Sequence, residues 1–215
     1  MKQVGKLEKI NNLSYFDIET LNQVINVSRN SLYANIKRWI KAGRIIQLKK
    51  GLYVTNQYIN QVRNKQIYLE FLANKLKSPS YLSLQYVLQK YDILSESVFG
   101  LTSITLQKPK DYTNSLAVFS YRSIRRGLYC GYKIISADGF TIREATKAKA
   151  LFDYLYLKLI RADFRDINLL DSFRLKLDEF TNQEKKEFTR YCREANVKKY
   201  QELPQLLFNL WLIKN

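Results

Sequence analysis

Histidine is missing from the sequence altogether. Catalysis by Ser-His-Asp or Cys-His groups, and metal sites with histidine ligands, are therefore excluded. Two cysteines are present, Cys130 and Cys192, and their separation fits neither a disulfide framework nor a zinc site. We expect no metal and no cofactor, and we do not expect an enzyme, although a site built from carboxylates or lysine stays open.

Long apolar runs and proline-rich stretches are missing too. Residues 1–13 contain no apolar segment of the kind found in secretory signals. The longest apolar candidate, residues 208–213, is far shorter than the roughly 18 residues that a membrane helix needs. The three prolines are scattered, so no proline-rich linker divides the chain. We therefore expect a cytoplasmic protein without a membrane partner.

What the sequence does have is a large excess of positive charge. Of its 215 residues, 36 are Lys or Arg and 19 are Asp or Glu, which gives a net charge of +17. Residues 1–55 contain ten basic and three acidic side chains, so the charge per residue there is about twice that of the remainder. This surplus favours a polyanionic partner that binds the N-terminal quarter, with solubility alone as the alternative.

Residues 17–28 have the pattern of a helix followed by a tight turn. Three apolar side chains recur at helical spacing and are expected to face a core: Ile18, Leu21 and Ile25. In the turn at residues 26–28, Val27 is expected to pack beneath the corner, and Ser28 is a good N-cap for a second helix. A helix, a tight turn and a second helix together predict a helix-turn-helix.

The second helix is predicted over residues 29–42. Its expected buried stripe consists of Leu32, Ile36, Trp39 and Ile40. Gly43 follows at the position where a left-handed C-terminal residue is favoured. Residues 44–48 and 52–54 then predict two strands joined by a basic tip at residues 49–51, which is the arrangement of a wing.

These features predict that residues 1–56 are a winged helix-turn-helix domain that binds double-stranded DNA. The residues expected to contact DNA are Ser28, Arg29, Asn30, Tyr33, Lys37, Arg38, Lys41, Lys49 and Lys50. Arg29, Asn30 and Tyr33 lie at the start of the helix and are expected to contact base edges, whereas the lysines and Arg38 are expected to contact phosphate. Use of the same elements for protein contact is the alternative.

Residues 65–215 predict an α+β domain with a small central sheet and C-terminal helices. Helices are expected over residues 65–76 and 83–91, and the chain is expected to be helical from residue 143 to its end. The intervening strands are predicted at residues 103–106, 116–121, 128–135 and 140–142, with turns at residues 109–111, 126–127 and 138–139. Mixed α+β is thus the predicted fold class of the whole chain.

No catalytic constellation is evident in this second domain. Its closely spaced carboxylates are expected to be solvated or to cap helices: Asp138, Asp153, Asp163, Asp166 and Asp171. Lys147 and Lys149 are expected on the surface of a helix, with phosphate binding as the alternative. No Gly-rich phosphate loop is present.

A series of short motifs carries a family resemblance. In chain order they are Lys50-Gly51-Leu52-Tyr53-Val54, Pro79-Ser80-Tyr81-Leu82-Ser83-Leu84, Thr102-Ser103-Ile104-Thr105, Phe119-Ser120-Tyr121-Arg122 and Ala145-Thr146-Lys147-Ala148-Lys149-Ala150-Leu151-Phe152-Asp153-Tyr154-Leu155-Tyr156. Over residues 15–160 the chain resembles the AbiEi family, the antitoxins of type IV toxin–antitoxin (abortive infection) systems. It departs from the family pattern at Lys147 and Ala148, where Pro-Glu is usual, and at residues 85–87.

The resemblance implies two activities. The N-terminal domain would repress the protein's own operon by binding repeated half-sites in its promoter. The C-terminal domain would neutralise a cognate nucleotidyltransferase-like toxin, in this family often without a stable complex. Two alternatives stay open: a winged-helix transcription factor whose C-terminal domain senses a ligand or partner, and a nucleic-acid-processing enzyme, which the absence of histidine and of a tight carboxylate cluster disfavours.

Overall fold

The computed structural model describes residues 4–94, 99–160 and 172–214. The chain divides into two compact units, an N-terminal unit of Met1–Leu69 with Tyr112–Val118 and a second unit of Glu70–Asp111 with Phe119–Asn215. Helices and a mixed sheet make up the described part, so the predicted α+β class is confirmed. Within the described residues, no helix combines the length and apolarity needed to cross a membrane.

The N-terminal unit consists of short helices and a small sheet. Its elements are α1 (Val4–Leu7), a 3-10 turn (Glu8–Ile10), β1 (Phe16–Asp17), α2 (Ile18–Ile25), α3 (Arg29–Lys41), β2 (Ile45–Lys49), β3 (Leu52–Thr55) and α4 (Asn56–Gln61). The three strands pair antiparallel in the order β1-β3-β2. Helices α2 and α3 begin and end within a residue or two of the helices predicted at residues 17–25 and 29–42.

One apolar cluster holds these elements together. Its buried members come from both helices and from the sheet: Leu7, Ile10, Phe16, Leu21, Ile25, Leu32, Ile36, Trp39, Ile45 and Tyr53. Burial of a large apolar side chain contributes about 1.5–3 kcal/mol, so this cluster fixes the position of α3 against α2 and the hairpin. Val27, in the link between the helices, packs partly buried against the same cluster, as predicted.

The second unit is built around a mixed sheet with helices. The elements from residue 65 onward are α5 (Lys65–Leu76), β4 (Ser80–Leu82), α6 (Leu84–Lys90), β5 (Leu101–Thr105), β6 (Lys110–Thr113), β7 (Val118–Ser123), a 3-10 turn (Arg126–Leu128), β8 (Tyr132–Ala137), β9 (Phe140–Ala145), α7 (Lys147–Lys158), α8 (Asn182–Glu194) and α9 (Lys198–Lys214). The strand order is β6-β7-β5-β4-β9-β8. The β4–β5 and β8–β9 pairs are antiparallel, and the β4–β9 and β5–β7 pairs are parallel.

Several predicted boundaries in this unit are wrong. Residues 110–111, expected in a turn, begin β6, and β4 was not predicted. The strand expected from residue 128 starts at Tyr132, because residue 128 ends a 3-10 turn and residues 129–131 are in neither helix nor strand. The last predicted strand continues to Ala145, so the helix expected from residue 143 starts at Lys147, where Thr146 caps it. Asp163, Asp166 and Asp171 lie outside the described residues.

Candidate nucleic-acid interface

One face of α3 is fixed in the core of the N-terminal unit. Leu32, Ile36 and Trp39 are buried, as predicted, and Asn35 is buried beside them. Ile40 was expected in the same stripe, but its side chain is 37% exposed, so that prediction is wrong. At about 100° per residue, Ile40 points roughly 100° away from its neighbour Trp39 and reaches only the margin of the buried stripe.

The start of α3 is fixed by its cap. Ser28 precedes the helix, and its Oγ accepts a hydrogen bond of 3.4 Å from the backbone N–H of Ser31. Asn26, in the same link, adopts a left-handed conformation with φ 50°. Gly43 has φ 65° after the helix, as the sequence predicted. Capping at both ends gives α3 defined limits, so its first turn has a fixed direction.

The other face of α3 is exposed and basic. The predicted DNA-contacting residues on this helix all have exposed side chains: Arg29, Asn30, Tyr33, Lys37, Arg38 and Lys41. At 3.6 residues per turn they cover an arc of about 180°, opposite the buried stripe. The helix contains no acidic residue. The exposed surface of α3 therefore carries one cation at its start and three near its end, with no acidic residue between them.

Arg38 differs from the other cations of this face because it has an internal partner. Its Nη2 donates a hydrogen bond of 2.8 Å to Oδ1 of Asn35. Asn35 is 3% exposed, and its Nδ2 has no hydrogen-bond partner within the described part of the chain. The bond holds the Arg38 guanidinium close to the helix, which reduces the entropy lost when it meets an external anion.

The β2–β3 hairpin carries the two remaining predicted residues. Gly51 at its tip has φ 81°, a conformation that other residues rarely adopt. Lys50 is exposed. Lys49 is half-buried, and its Nζ lies 5.9 Å from the centre of the Tyr112 ring, within range of a cation–π interaction. Lys50 is thus the more accessible of the two lysines.

Residues that sequence analysis did not single out support the hairpin. Besides Tyr112, the same segment of the N-terminal unit contributes Asn114, whose Nδ2 donates a hydrogen bond of 3.0 Å to the carbonyl of Leu48. Asn114 also accepts a hydrogen bond from the backbone N–H of Leu116. No sequence signal could have revealed this support, since the two segments are 66 residues apart.

The few acidic groups of this unit lie on other elements. Asp17 caps α2, where its Oδ1 accepts a hydrogen bond of 2.8 Å from the backbone N–H of Thr20. This bond lowers the pKa of the Asp17 carboxyl. Lys6 donates to the carbonyl of Ile25 at the other end of α2. None of these contacts uses a cation of α3.

The second unit contains a fully buried ion pair at the start of α7. Lys149 Nζ lies 2.7 Å from Oδ1 of Asp153, and both side chains have no exposed area. Lys149 also donates to the carbonyl of Leu128, while Oδ2 of Asp153 accepts hydrogen bonds from Tyr81 and Ser83. Burial raises the pKa of the Asp153 carboxyl, and the neighbouring ammonium opposes that effect. The expectation that Lys149 lies on a helix surface and Asp153 in solvent is wrong.

A second polar cluster joins α5, α6 and β9. Nζ of Lys90 lies 3.0 Å from Glu70 and 2.6 Å from Glu144, and both carboxylates are buried. Tyr86 donates a further hydrogen bond to Glu70. Burial opposes the charge of Lys90, but the hydrogen bonds and charges of the two carboxylates outweigh it and raise the pKa of the ammonium. The cluster has the composition of a structural ion-pair network.

A cleft of about 800 Å³ opens in the second unit. Its lining combines apolar, hydroxyl and cationic side chains: Leu84, Gln85, Leu94, Phe99, Thr102, Pro109, Ser120, Arg122, Ser123, Tyr154, Leu157, Lys158 and Ile160. Arg122 Nη1 lies 2.7 Å from Oδ1 of Asp111, and both side chains are about half exposed. The size is within the range of small-molecule sites.

Comparison with protein-family models and with curated proteins finds no match for the chain. Within the described residues, no group of three or more Cys, Asp or Glu side chains is arranged to hold a metal ion. In the part of the second unit that the structure describes, the buried charged groups have partners: Glu70, Glu144, Lys149 and Asp153. The exposed cations of α3 and the hairpin form a positively charged surface of the kind that suits a large anionic ligand.

Proposed function

We propose that the N-terminal unit is a winged helix-turn-helix that binds duplex DNA. The order of α2, a three-residue link, α3 and a two-stranded hairpin supports this proposal, since it is the order of elements in that class of domain. The observation that carries it is the exposed face of α3, which has four cations and no acidic residue and faces away from the helix stripe fixed in the core. A helix that packs against an uncharged protein surface has no need of such a charge pattern.

The exposed residues divide into two groups in this proposal. Arg29, Asn30 and Tyr33 enter the major groove with the start of α3, where Arg suits the O6 and N7 atoms of guanine and Asn suits the N6 and N7 atoms of adenine. The phosphate contacts come from the rest of the helix and the hairpin: Lys37, Arg38, Lys41, Lys49 and Lys50. Ser28, whose hydroxyl lies next to the first turn of α3, is the last of the proposed DNA-contacting residues.

Charge reversal tests this function in the 215-residue chain. Fluorescence anisotropy would measure binding to a labelled fragment of the protein's own promoter. The double variant Lys37→Glu/Lys41→Glu should lose at least two orders of magnitude in affinity. The two substitutions change the charge of α3 by four units and turn attraction to phosphate into repulsion. A control with the same charge change, Lys108→Glu/Lys186→Glu, alters exposed lysines of the second unit. Equal losses in both variants would refute a specific role for α3.

We also propose that the protein is an autorepressor and antitoxin of the AbiEi type. The support is the resemblance over residues 15–160, and the partners are the protein's own promoter and a nucleotidyltransferase-like toxin. Co-expression with such a toxin from the neighbouring reading frame tests the second activity. Growth should be restored by the protein, and failure of rescue at matched expression would remove the antitoxin proposal while leaving DNA binding intact.

The cleft of the second unit favours a second candidate function, a transcription factor that senses a small anionic ligand. Arg122 and Lys158 supply positive charge, and Ser120 and Ser123 supply hydroxyl groups at its wall. A panel of nucleotides and phosphorylated metabolites would be screened by thermal shift, with promoter affinity as the second readout. A ligand that stabilises the protein and changes promoter affinity, with neither effect in Arg122→Ala, would favour this function over the antitoxin.

A further inference from the structure

The two edges of the six-stranded sheet differ in how they meet solvent. The first edge strand, β6, follows Pro109 and carries the charged residues Lys110 and Asp111. Proline and charge are the usual devices that keep an edge strand from pairing with another chain. The other edge strand, β8, has six residues, no proline and a single charge at Lys133. Within the described part of the chain, β9 is its one strand neighbour.

The register of the β8–β9 hairpin identifies which backbone groups of β8 point outward. Tyr132 pairs with Ala145, and the pairing continues to Ala137 and Phe140. The backbone N–H of Thr146 donates a hydrogen bond to the carbonyl of Gly131. Gly131 and Thr146, the pair that precedes Tyr132 and Ala145, are therefore a hydrogen-bonded pair. Bonded and non-bonded pairs alternate in an antiparallel ladder. Residues 131, 133, 135 and 137 therefore bond to β9.

The turn supports the same assignment independently. Asp138 and Gly139 both have positive φ, 49° and 77°, which is the signature of a two-residue type I′ hairpin. Such a turn is closed by a hydrogen-bonded pair, here residues 137 and 140. It follows that the N–H and C=O groups of Tyr132, Ile134 and Ser136 point away from β9 toward the free edge.

The side chains at these outward positions suit contact with another chain. Ile134 is 66% exposed, an unusual degree for isoleucine in a strand, and Ser136 is exposed. Tyr132 is half-buried and stacked on Tyr81, so it gives the start of the strand a rigid support. The charge of Lys133 is directed elsewhere, since its Nζ donates to the hydroxyl of Tyr91 at 2.9 Å.

We propose that β8 pairs antiparallel with β8 of a second copy of this chain, about a two-fold axis that passes through Ile134. A two-fold axis perpendicular to the sheet keeps each side chain on its own face, so residues can pair across it only with residues of the same parity. Ile134 then lies opposite itself, and Tyr132 lies opposite Ser136 of the second copy. Each of these pairs consists of outward-pointing residues and exchanges both backbone hydrogen bonds.

The charges that meet across the pairing and its register both support a second copy of this chain as the partner of β8. Lys133 lies opposite Ile135 of the second copy, so no like charges meet, and the two exposed isoleucines contact each other at the axis. An axis through residue 133 places Lys133 opposite itself and leaves Ser136 without a partner in the strand, and an axis through residue 135 leaves Tyr132 without one. An axis through residue 132 or 136 leaves part of the free edge unpaired. The register through Ile134 is the one that uses the whole outward edge.

A charge-swap experiment tests the pairing. Sedimentation equilibrium of the wild-type chain should show a concentration-dependent rise from 25.5 kDa toward twice that mass. Ile134→Lys alone and Ile134→Glu alone should each stay at 25.5 kDa, because each places like charges opposite each other. An equimolar mixture of the two should associate again. The side chain is exposed, so both variants should keep the wild-type circular dichroism, which shows that each still folds.

The outcomes are distinct. A wild-type chain that stays monomeric at high micromolar concentration overturns the proposal. A wild-type dimer that persists in both single variants, or a mixture that fails to associate, assigns the contact to another surface. A spin label at position 134, in a Cys130→Ser background with buried Cys192 retained, should give the shortest distance between copies, and labels at 133 and 136 longer ones. None of these results depends on whether the N-terminal unit binds DNA.

Discussion

At the scale of single residues, breaking the buried pair of Lys149 and Asp153 should strongly destabilise the second unit. Removing one partner leaves an uncompensated charge in a site without exposed area. We expect Asp153→Asn to lower the free energy of unfolding by about 3–5 kcal/mol, measured by urea denaturation with circular dichroism. The reason is that Lys149 then has no opposite charge beside it and keeps only the carbonyl of Leu128 and the rings of Phe152 and Tyr191 as partners.

Arg190 and Glu194 provide the matched control. They have the same i,i+4 spacing, but their atoms are 3.8 Å apart and both side chains are largely exposed. Glu194→Gln should therefore change the free energy of unfolding by less than about 1 kcal/mol. If the two variants lost similar free energies of unfolding, burial would not explain the cost of breaking the Lys149–Asp153 pair.

The burial of this pair was open to prediction from the sequence, but the prediction made was the opposite. Spacing alone does not distinguish a surface pair from a buried one, and charged residues on helices are mostly solvated. The signal lay in the neighbours, because residues 148–155 are all buried and read Ala-Lys-Ala-Leu-Phe-Asp-Tyr-Leu. A helix that is apolar all round is a buried helix, so its charges are buried with it.

Single substitutions should also separate base contacts from phosphate contacts in the proposed DNA interface. Arg29→Ala should reduce the preference for the promoter over a scrambled duplex by about 1–3 kcal/mol, since a bidentate base contact is lost. Lys50→Ala should weaken binding to both duplexes by a similar factor. Competition anisotropy with the two duplexes measures both effects. If Arg29→Ala and Lys50→Ala lost the same preference for the promoter, the division into base contacts and phosphate contacts would be wrong.

At the scale of secondary structure elements, the N-cap of α2 makes stability depend on pH. Loss of an N-cap acceptor costs about 1 kcal/mol, so Asp17→Ala should lower the free energy of unfolding by this amount at pH 7. The pKa of Asp17 is lowered in the folded state, so its stabilisation is present above the unfolded value near 3.8 and is lost as the pH falls through the folded value. The penalty should therefore shrink at pH 3.

Trp39 gives a local readout of this effect, because it is buried in the core of the N-terminal unit. Its fluorescence would be followed during urea unfolding in a Trp211→Phe background, which removes the other tryptophan. Asp17→Asn is the control, since asparagine caps equally well but does not titrate. A penalty for Asp17→Ala that stays constant from pH 7 to pH 3 would exclude the ionised cap.

Elements with strong apolar patterns were predicted closely, and weakly patterned strands were not. The helix at Lys65–Leu76 begins and ends where its periodicity predicts. The strand at Lys110–Thr113 escaped prediction because it is a polar edge whose side chains mostly face solvent. The strand at Ser80–Leu82 has three residues, too few to show an alternation, although all three are buried. Pairing partners, and not local sequence, specify such short strands.

At the scale of the whole molecule, the segments that make up each unit could not be predicted from their order along the chain. Residues 112–118 belong to the N-terminal unit, although more than forty residues separate them from its main part. The hydrogen bond from Asn114 to the hairpin and the contact of Tyr112 with Lys49 make this segment a part of the candidate site. Contacts between distant segments leave no periodic signal, so the sequence predicted the basic face of α3 but not the support of the hairpin.

The salt dependence of DNA binding measures the whole charged surface at once. Each phosphate neutralised by Lys or Arg contributes about −0.9 to the slope of log K against log salt concentration. With Lys37, Arg38, Lys41, Lys50 and half-buried Lys49 as phosphate contacts, the slope per bound copy should be on the order of −4 to −5 on a short random duplex. Lys50→Ala should make the slope less steep by about one unit, and Lys186→Ala, a surface lysine of the second unit, should leave it unchanged. A wild-type slope near zero would mean that the basic face does not meet the phosphate backbone, whatever the net charge of the protein.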